Sequence, residues 1–218
     1  MRKFNRKHLE QLEHLYRINL INSCSGYKSA NLIGTVSGQG HPNLAIFSSV
    51  IHMGSNPPLL GFILRPTTVP RDTYENIKET GVYTVNHVPI GLSESAHHTS
   101  AKYEATVSEF DASGLNEEYK GKFPAPFVQG SPVQMAMSFL EEHYIESNGT
   151  RLVIGEIREL YVREDLLAED GFVDLSKGQV ASICGLDGYS LPSVPRRYGY
   201  QRPKKFNRPE ATGAEERS

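Results

Sequence analysis

The chain has 218 residues, a net charge of −2 and 38% hydrophobic residues, enough to bury a core in one domain with extensions. No apolar run reaches the roughly 20 residues that cross a bilayer, and no apolar signal region follows the basic N-terminus from Met1 to His8. The near-neutral charge argues against a general nucleic-acid binder.

From about residue 6 to 20, Leu9, Leu12, Tyr16 and Ile18 or Leu20 recur at three-to-four spacing, which predicts an amphipathic helix. Ala30 to Val36 is apolar and β-branched and ends at Ser37-Gly-Gln-Gly40, a strand and its turn. Asn43 to Met53 predicts one longer strand. Gly54-Ser-Asn-Pro-Pro58 stops it, because proline cannot donate to a ladder. Leu59 to Leu64 is a third strand. Thr68 as a cap, Pro70 in the first turn and Gly81 just past the end predict a short helix of about ten residues.

Val82 to Val88 resumes as a strand, and residues 91 to 104 read as helical. A polar stretch from Ala105 to about Gly130 holds a short helix near Leu115 to Tyr119. Met135, Met137 and Phe139 alternate with small or polar residues, Asn148-Gly149 signals a hairpin, and Leu152 to Val162 returns. Gly171 to Leu175 adds a short strand or turn, and Pro203 onward reads as a loose tail. At least six strands with few helices between them predict a mainly β fold, a largely antiparallel closed sheet. The expected organisation is a helical extension over 1–25, the barrel domain over 26–190 and a basic C-terminal tail over 191–218. Two cysteines without metal-ligand spacing, Cys24 and Cys184, suit a reducing cytoplasm.

The most informative block runs from Asn43 to Asn86. Arg65, Thr67, Thr68, Arg71 and Thr73 gather at a predicted helix N-terminus, where unpaired N–H groups and a partial positive charge favour anions. Two guanidiniums and several hydroxyls there suit a phosphate. The same residues also suit a plain helix cap with solvated arginines, and taken alone they leave both readings open.

Asn43-x-Ala45-x-Phe47-Ser48-Ser49, Asn56-Pro57-Pro58, Arg71-Asp72-Thr73-x-x-Asn76-Ile77 and Tyr83-Thr84-Val85-Asn86 follow one another in that order. Ser108-Glu109-Phe110, Ala125-Pro126-Phe127-Val128, Gly155-Glu156-Ile157 and Gly185-Leu186-Asp187-Gly188-Tyr189 come later. This ordered set resembles the flavin-reductase-like family with the FMN-binding split barrel, over roughly residues 20 to 200. The resemblance implies a homodimer of split barrels with FMN near the subunit interface. It places Asn43, Ala45 and Phe47 along the isoalloxazine, and Ser48 and Ser49 at the ring edge or ribityl chain. It places Arg65, Thr67, Thr68, Arg71 and Thr73 around the phosphate, with Arg71 standing where many relatives carry lysine. Ser100 and Lys102 fall where relatives make further flavin contacts.

The resemblance further implies an NAD(P)H-dependent flavin or FMN reductase passing hydride from nicotinamide to flavin, with NADH or NADPH as co-substrate and a monooxygenase or redox protein as partner. A flavoredoxin-like electron carrier and a flavoprotein reducing another small substrate are the alternatives. The cofactor carries the chemistry, so no catalytic side chain is named. No Gly-x-Gly-x-x-Gly fingerprint marks a separate dinucleotide domain. His97 and His98 are adjacent on a predicted helix and point apart, which disfavours one shared metal. His52, His87 and His143 read as satisfied barrel histidines, and Asn86 as a strand-end hydrogen bonder. Tyr198 or Tyr200 would pack on flavin or on a partner subunit, and Arg196 or Arg197 would meet a nucleotide phosphate; a solvated tail is the alternative.

Overall fold

The computed structural model describes residues 1–103, 107–200 and 202–203. Two helices open the chain, α1 (Arg6–Glu10) and α2 (His14–Cys24). The sequence predicts a single helix here. It is broken because Asn5 and Glu13 each begin one: Asn5 Oδ1 accepts the His8 amide, and the Glu13 carboxylate accepts the Leu15 and Tyr16 amides at 3.0 and 2.9 Å.

The strands of the main sheet are β2 (Asn31–Val36), β3 (Pro42–Phe47), β4 (Ile51–Ser55), β5 (Pro58–Leu64), β6 (Val82–His87), β9 (Val133–Ile145) and β10 (Thr150–Val162). A short strand β1 (Tyr27–Ser29) precedes them, and β7 (Glu117–Glu118) and β8 (Phe127–Val128) form a separate pair. The seven lie in the order β3-β2-β6-β9-β10-β5-β4, every pairing antiparallel. The expected long strand from Asn43 to Met53 is therefore two, β3 and β4, and these are the two edges of the sheet. Only Ser48, Ser49 and Val50 join them, a link of at most roughly 14 Å. The sheet must curl until its edges nearly meet, which makes it a barrel left open along one seam. Ser49 holds the seam: its hydroxyl donates to the Ile63 carbonyl and accepts the Ile63 amide, both at 3.1 Å, where β4 no longer reaches β5.

Alternate residues fill the barrel. Ile33, Phe62, Leu64, Tyr83, Val85, Met135, Met137 and Val153 point inward and are almost wholly buried. The opposite face of β2 and β3 presents Leu32 and Leu44 to a second cluster with Val88, Phe110, Val128 and Ile183. β2 is thus buried on both faces, including its polar Asn31 and Thr35. Two glycines allow close approaches. A Cβ at Gly34 would lie 2.3 Å from the Pro126 carbonyl oxygen, and one at Gly155 would lie 2.2 Å from the Tyr83 hydroxyl.

Helix α3 (Asp72–Thr80) crosses one mouth of the barrel and turns Thr73, Asn76 and Ile77 inward. Gly81 ends it in the left-handed conformation (φ 73°), as the sequence predicts, and its amide returns to the Ile77 carbonyl at 2.9 Å. The helix predicted over 91 to 104 is shorter: a 3₁₀ turn at Ile90–Leu92 leads into α4 (Ser93–His98). The short helix predicted near Leu115 lies earlier, at α5 (Glu109–Ser113), because Gly114 (φ 70°) terminates it; Glu117–Glu118 are extended instead. β1 pairs with β11 (Ser182–Cys184), and β11 with β12 (Gly188–Ser190). Gly171 to Leu175 makes one bridge, Leu167 to Val173. Beyond β12 the described chain is exposed and irregular; Gln201 and the tail from Lys204 lie outside the described residues. No helix of the described residues is long and apolar enough to cross a membrane.

Candidate functional site

The seam between β3 and the end of β5 is flanked by the start of α3. As an edge strand, β3 has outward backbone groups that no neighbouring strand pairs. One of them, the Leu44 amide, lies 3.2 Å from Glu109 Oε2 on α5. Burial pushes the Glu109 carboxyl above the usual carboxylate range, and the nearby Asp72 charge adds to this.

The inward side chains at this mouth form one buried polar network. Asn43 lies 3.2 Å from both Thr35 Oγ1 and Thr73 Oγ1, and Asn76 Nδ2 donates to Thr35 Oγ1 at 3.1 Å. A hydroxyl has a single proton, so Thr35 accepts from Asn76 and donates to the Asn43 amide oxygen. That orientation turns the Asn43 nitrogen toward Glu109 Oε2 at 3.3 Å. All four network residues are buried. The sequence reading places Asn43 against a flavin ring and Thr73 against a phosphate; the structure places both side chains inside, tying β3 to α3. Their outward contribution is through backbone. Thr35, Asn76 and Glu109 are missed by that reading. The alternation of β2 marks Thr35 as inward, and Asn76 stands three residues from Thr73 on the same helix face; Glu109 stands in the Ser108-Glu109-Phe110 segment, but nothing near it in sequence points to β3.

The seat itself is the loop from Arg65 to Arg71. The predicted cap at Thr68 and Pro70 in the first turn are not found. α3 begins at Asp72 with Arg71 as its N-cap (φ −135°, ψ 91°). Pro70 biases Val69 away from helical backbone, so Thr67 and Thr68 occupy an exposed turn instead. No side chain caps α3. The Arg71 carbonyl accepts the Tyr74 and Glu75 amides at 2.8 and 3.0 Å, and the Arg71 Nε is hidden from solvent with no protein partner. A buried guanidinium N–H without an acceptor is costly. Beside an uncapped helix start, with exposed Arg65, Thr67 and Thr68 around it, this donor set fits an anionic group.

The flank of α3 away from β3 is fixed independently. Tyr74 and Arg151 both donate to Glu142 Oε1 at 3.0 Å, and Lys78 lies 3.8 Å from Glu142 Oε2. The Arg151 guanidinium sits between the Tyr74 and Tyr144 rings, 5.4 and 5.2 Å from their centroids. Arg151 pairs in register with Leu64, next to Arg65, yet its charge is committed to Glu142.

The other candidates fall as follows. Ala45, Phe47 and Ser48 are partly buried along β3 and its end, and Phe47 meets Phe62 edge-on at 5.0 Å between centroids. Ser49 is engaged in the seam clamp described above. Ser100 and Lys102 are exposed just beyond α4. His97 turns to Tyr189 (Nδ1 to hydroxyl 3.3 Å) and His98 to Tyr103, so the two rings have separate partners. Asn86 is buried and fully used: its amide donates to the Leu32 carbonyl and Thr84, and accepts from the Val128 amide. His87 departs from expectation: it is partly buried, and its Nδ1 is hidden from solvent without a partner; desolvation lowers its pKa to about 4. His52 reaches Ser55 at 3.1 Å, and His143 lies 3.8 Å from Glu141, both at the surface. Arg197 is bound to Asp170 and stacked 4.2 Å over the Phe172 ring. Tyr198 and Tyr200 are 81% and 91% exposed among the described residues.

Known proteins share this fold. A crystal structure described as a flavin reductase with a split barrel domain, from Shewanella frigidimarina, is 47% identical, with a TM-score of 0.89 over 92% of this chain and 100% of that one. An FMN-binding protein of Thermus thermophilus shares the fold, with a TM-score of 0.67 at 17% identity over 79% of this chain and 90% of that one. An uncharacterized protein of Deinococcus radiodurans is 29% identical over 136 residues; the match spans 61% of this chain and 59% of that relative. The flavin reductase like domain family matches residues 24–177, most of the chain, and the chain belongs to that family.

Proposed function

We propose that this chain is a homodimeric FMN-dependent flavin reductase using NADH or NADPH, with the FMN phosphate at the start of α3 and the ring along the outer edge of β3. The observation that carries the reading is the uncapped start of α3 beside Arg65 and the hidden, unpartnered Nε of Arg71. Asp72 and Glu75 also lie in that first turn; they favour the helix dipole and oppose an anion, so both arginines are needed to offset them. When bound, FMN supplies the hydride-accepting and electron-passing chemistry.

The residues of this chain bind and orient. Arg65 and Arg71 would hold the phosphate, and the Thr67 and Thr68 hydroxyls would add donors beside them. The Asn43 network holds β3 rigid against α3, and Ser49 fixes the seam, so backbone from Asn43 to Ser49 lines the ring. Phe47, against Phe62, keeps water from the barrel side. Lys102 and Ser100 approach from beyond α4. A partner subunit would cover the exposed Leu15, Tyr16 and Ile21 of α2, and Ile51 and Met53 of β4.

The test is an anaerobic titration of FMN-loaded protein with NADH and with NADPH, following the visible flavin absorbance. Bleaching by either donor supports the reductase. Retained colour with both donors overturns it in favour of an electron carrier fed by another protein. Protein that takes up no FMN overturns the reading altogether.

A further inference from the structure

The chain's two cysteines lie far apart in sequence, and the fold brings them to one place. Both are free; Cys24 is exposed at the last residue of α2, and Cys184 is partly buried at the end of β11. The Cys184 thiol donates toward the Ser23 carbonyl at 4.0 Å. That carbonyl belongs to the peptide leading into Cys24, so planar peptide geometry puts Cys184 Sγ within roughly 7 Å of Cys24 Cα. The neighbouring geometry agrees. Tyr27 pairs directly with Cys184, and a Cβ on Gly185 would meet Ser23 Oγ at 3.1 Å. The Gly26 amide closes a turn onto the Ser23 carbonyl at 3.0 Å, with Gly26 at φ 80°, which folds the end of α2 onto β11. α2 has no buried residue, so its last turn can move the remaining distance without disturbing a core.

We propose that Cys24 and Cys184 form a reversible disulfide that fastens α2 to β11. The oxidant is a small disulfide. The Cys24 thiolate attacks one sulfur of it, forming a mixed disulfide and releasing one thiolate. The Cys184 thiolate then attacks Cys24 Sγ and releases the second. The protein loses two protons and two electrons, and the small disulfide becomes two thiols. In a reducing compartment the latch is open, and an oxidising shift closes it.

The test treats the full-length protein with oxidised glutathione, quenches with acid, and follows thiols and peptide masses. Both thiols should disappear together, the Cys24 and Cys184 peptides should be found joined with no glutathione retained, and dithiothreitol should restore both. Cys24→Ser and Cys184→Ser should each instead retain glutathione on the remaining cysteine. Amide exchange in α2 should slow in the oxidised wild type alone. Retention of both thiols, stable glutathione adducts on the wild type, a link between two copies, or unchanged α2 exchange in the cross-linked protein would each overturn the latch. None of these outcomes depends on whether the protein binds flavin.

Discussion

Helix α2 covers 11 residues and buries none of them, whereas α3 covers nine and buries Thr73, Asn76 and Ile77. Their first turns differ in the opposite sense. α2 begins on its own Glu13, whose carboxylate accepts two amides, while α3 begins with no side-chain cap. A helix satisfied at its start but with Leu15, Tyr16 and Ile21 exposed around it leaves apolar surface uncovered. A helix locked along its face but bare at its start has N–H groups free to take a small anion. The contrast separates a packing deficit from a ligand deficit.

The largest expected effect falls on the open start of α3. Replacing Arg65 and Arg71 together with alanine should weaken FMN binding by about 100-fold or more, given about 1.5–3 kcal/mol for each charge-assisted hydrogen bond. Flavin-fluorescence titration measures it, and the melting temperature should stay near wild type. On the locked face, Ile77→Ala should lower unfolding free energy by about 2–5 kcal/mol in urea.

His87 lies at the far end of β6 from α3 and supplies a pH probe outside both helices. Its folded pKa is depressed to about 4 from 6.5. Between those values the unfolded chain binds a proton that the folded chain lacks, so stability rises with pH across that window, by up to about 3 kcal/mol. His87→Phe should flatten this slope; an unchanged acid limb would assign the proton uptake elsewhere. Thr35→Val, which strips the shared hydroxyl from the Asn43–Asn76 network, should cost about 1–3 kcal/mol. Leu15→Ser with Ile21→Ser should change protomer stability by no more than about 0.5 kcal/mol, yet shift sedimentation from dimer to monomer. A dimer that persists would remove α2 from the interface.

Much of the barrel was legible because its signals are local. The alternation of Met135 and Met137, the Asn148-Gly149 turn and the Gly81 helix end each follow from a few neighbouring residues. The break at Ser48–Val50 was not legible, since Asn43 to Met53 is continuously strand-like and only closure of the sheet forces it to divide. The start of α3 was misplaced because Thr68 and Pro70 look like a cap on their own, and the true first turn depends on contacts with β2 and β3. Within the site, the residue types were visible but not their direction. Asn43 and Thr73 face inward because Thr35 and Asn76, distant in sequence, complete their hydrogen bonds. The role of Glu109 was hidden for the same reason, since its partner Leu44 is distant in sequence.

The uncapped start of α3 and the hidden Arg71 Nε imply a phosphate there, held by Arg65 and Arg71. Equilibrium dialysis of FMN and of riboflavin, which lacks the phosphate, against wild type and the double alanine variant isolates that contact. FMN should bind the wild type far more tightly than riboflavin does, and the variant should bind the two alike. Equal binding of FMN and riboflavin by the wild type, or an FMN preference that survives in the variant, would remove the phosphate from the start of α3.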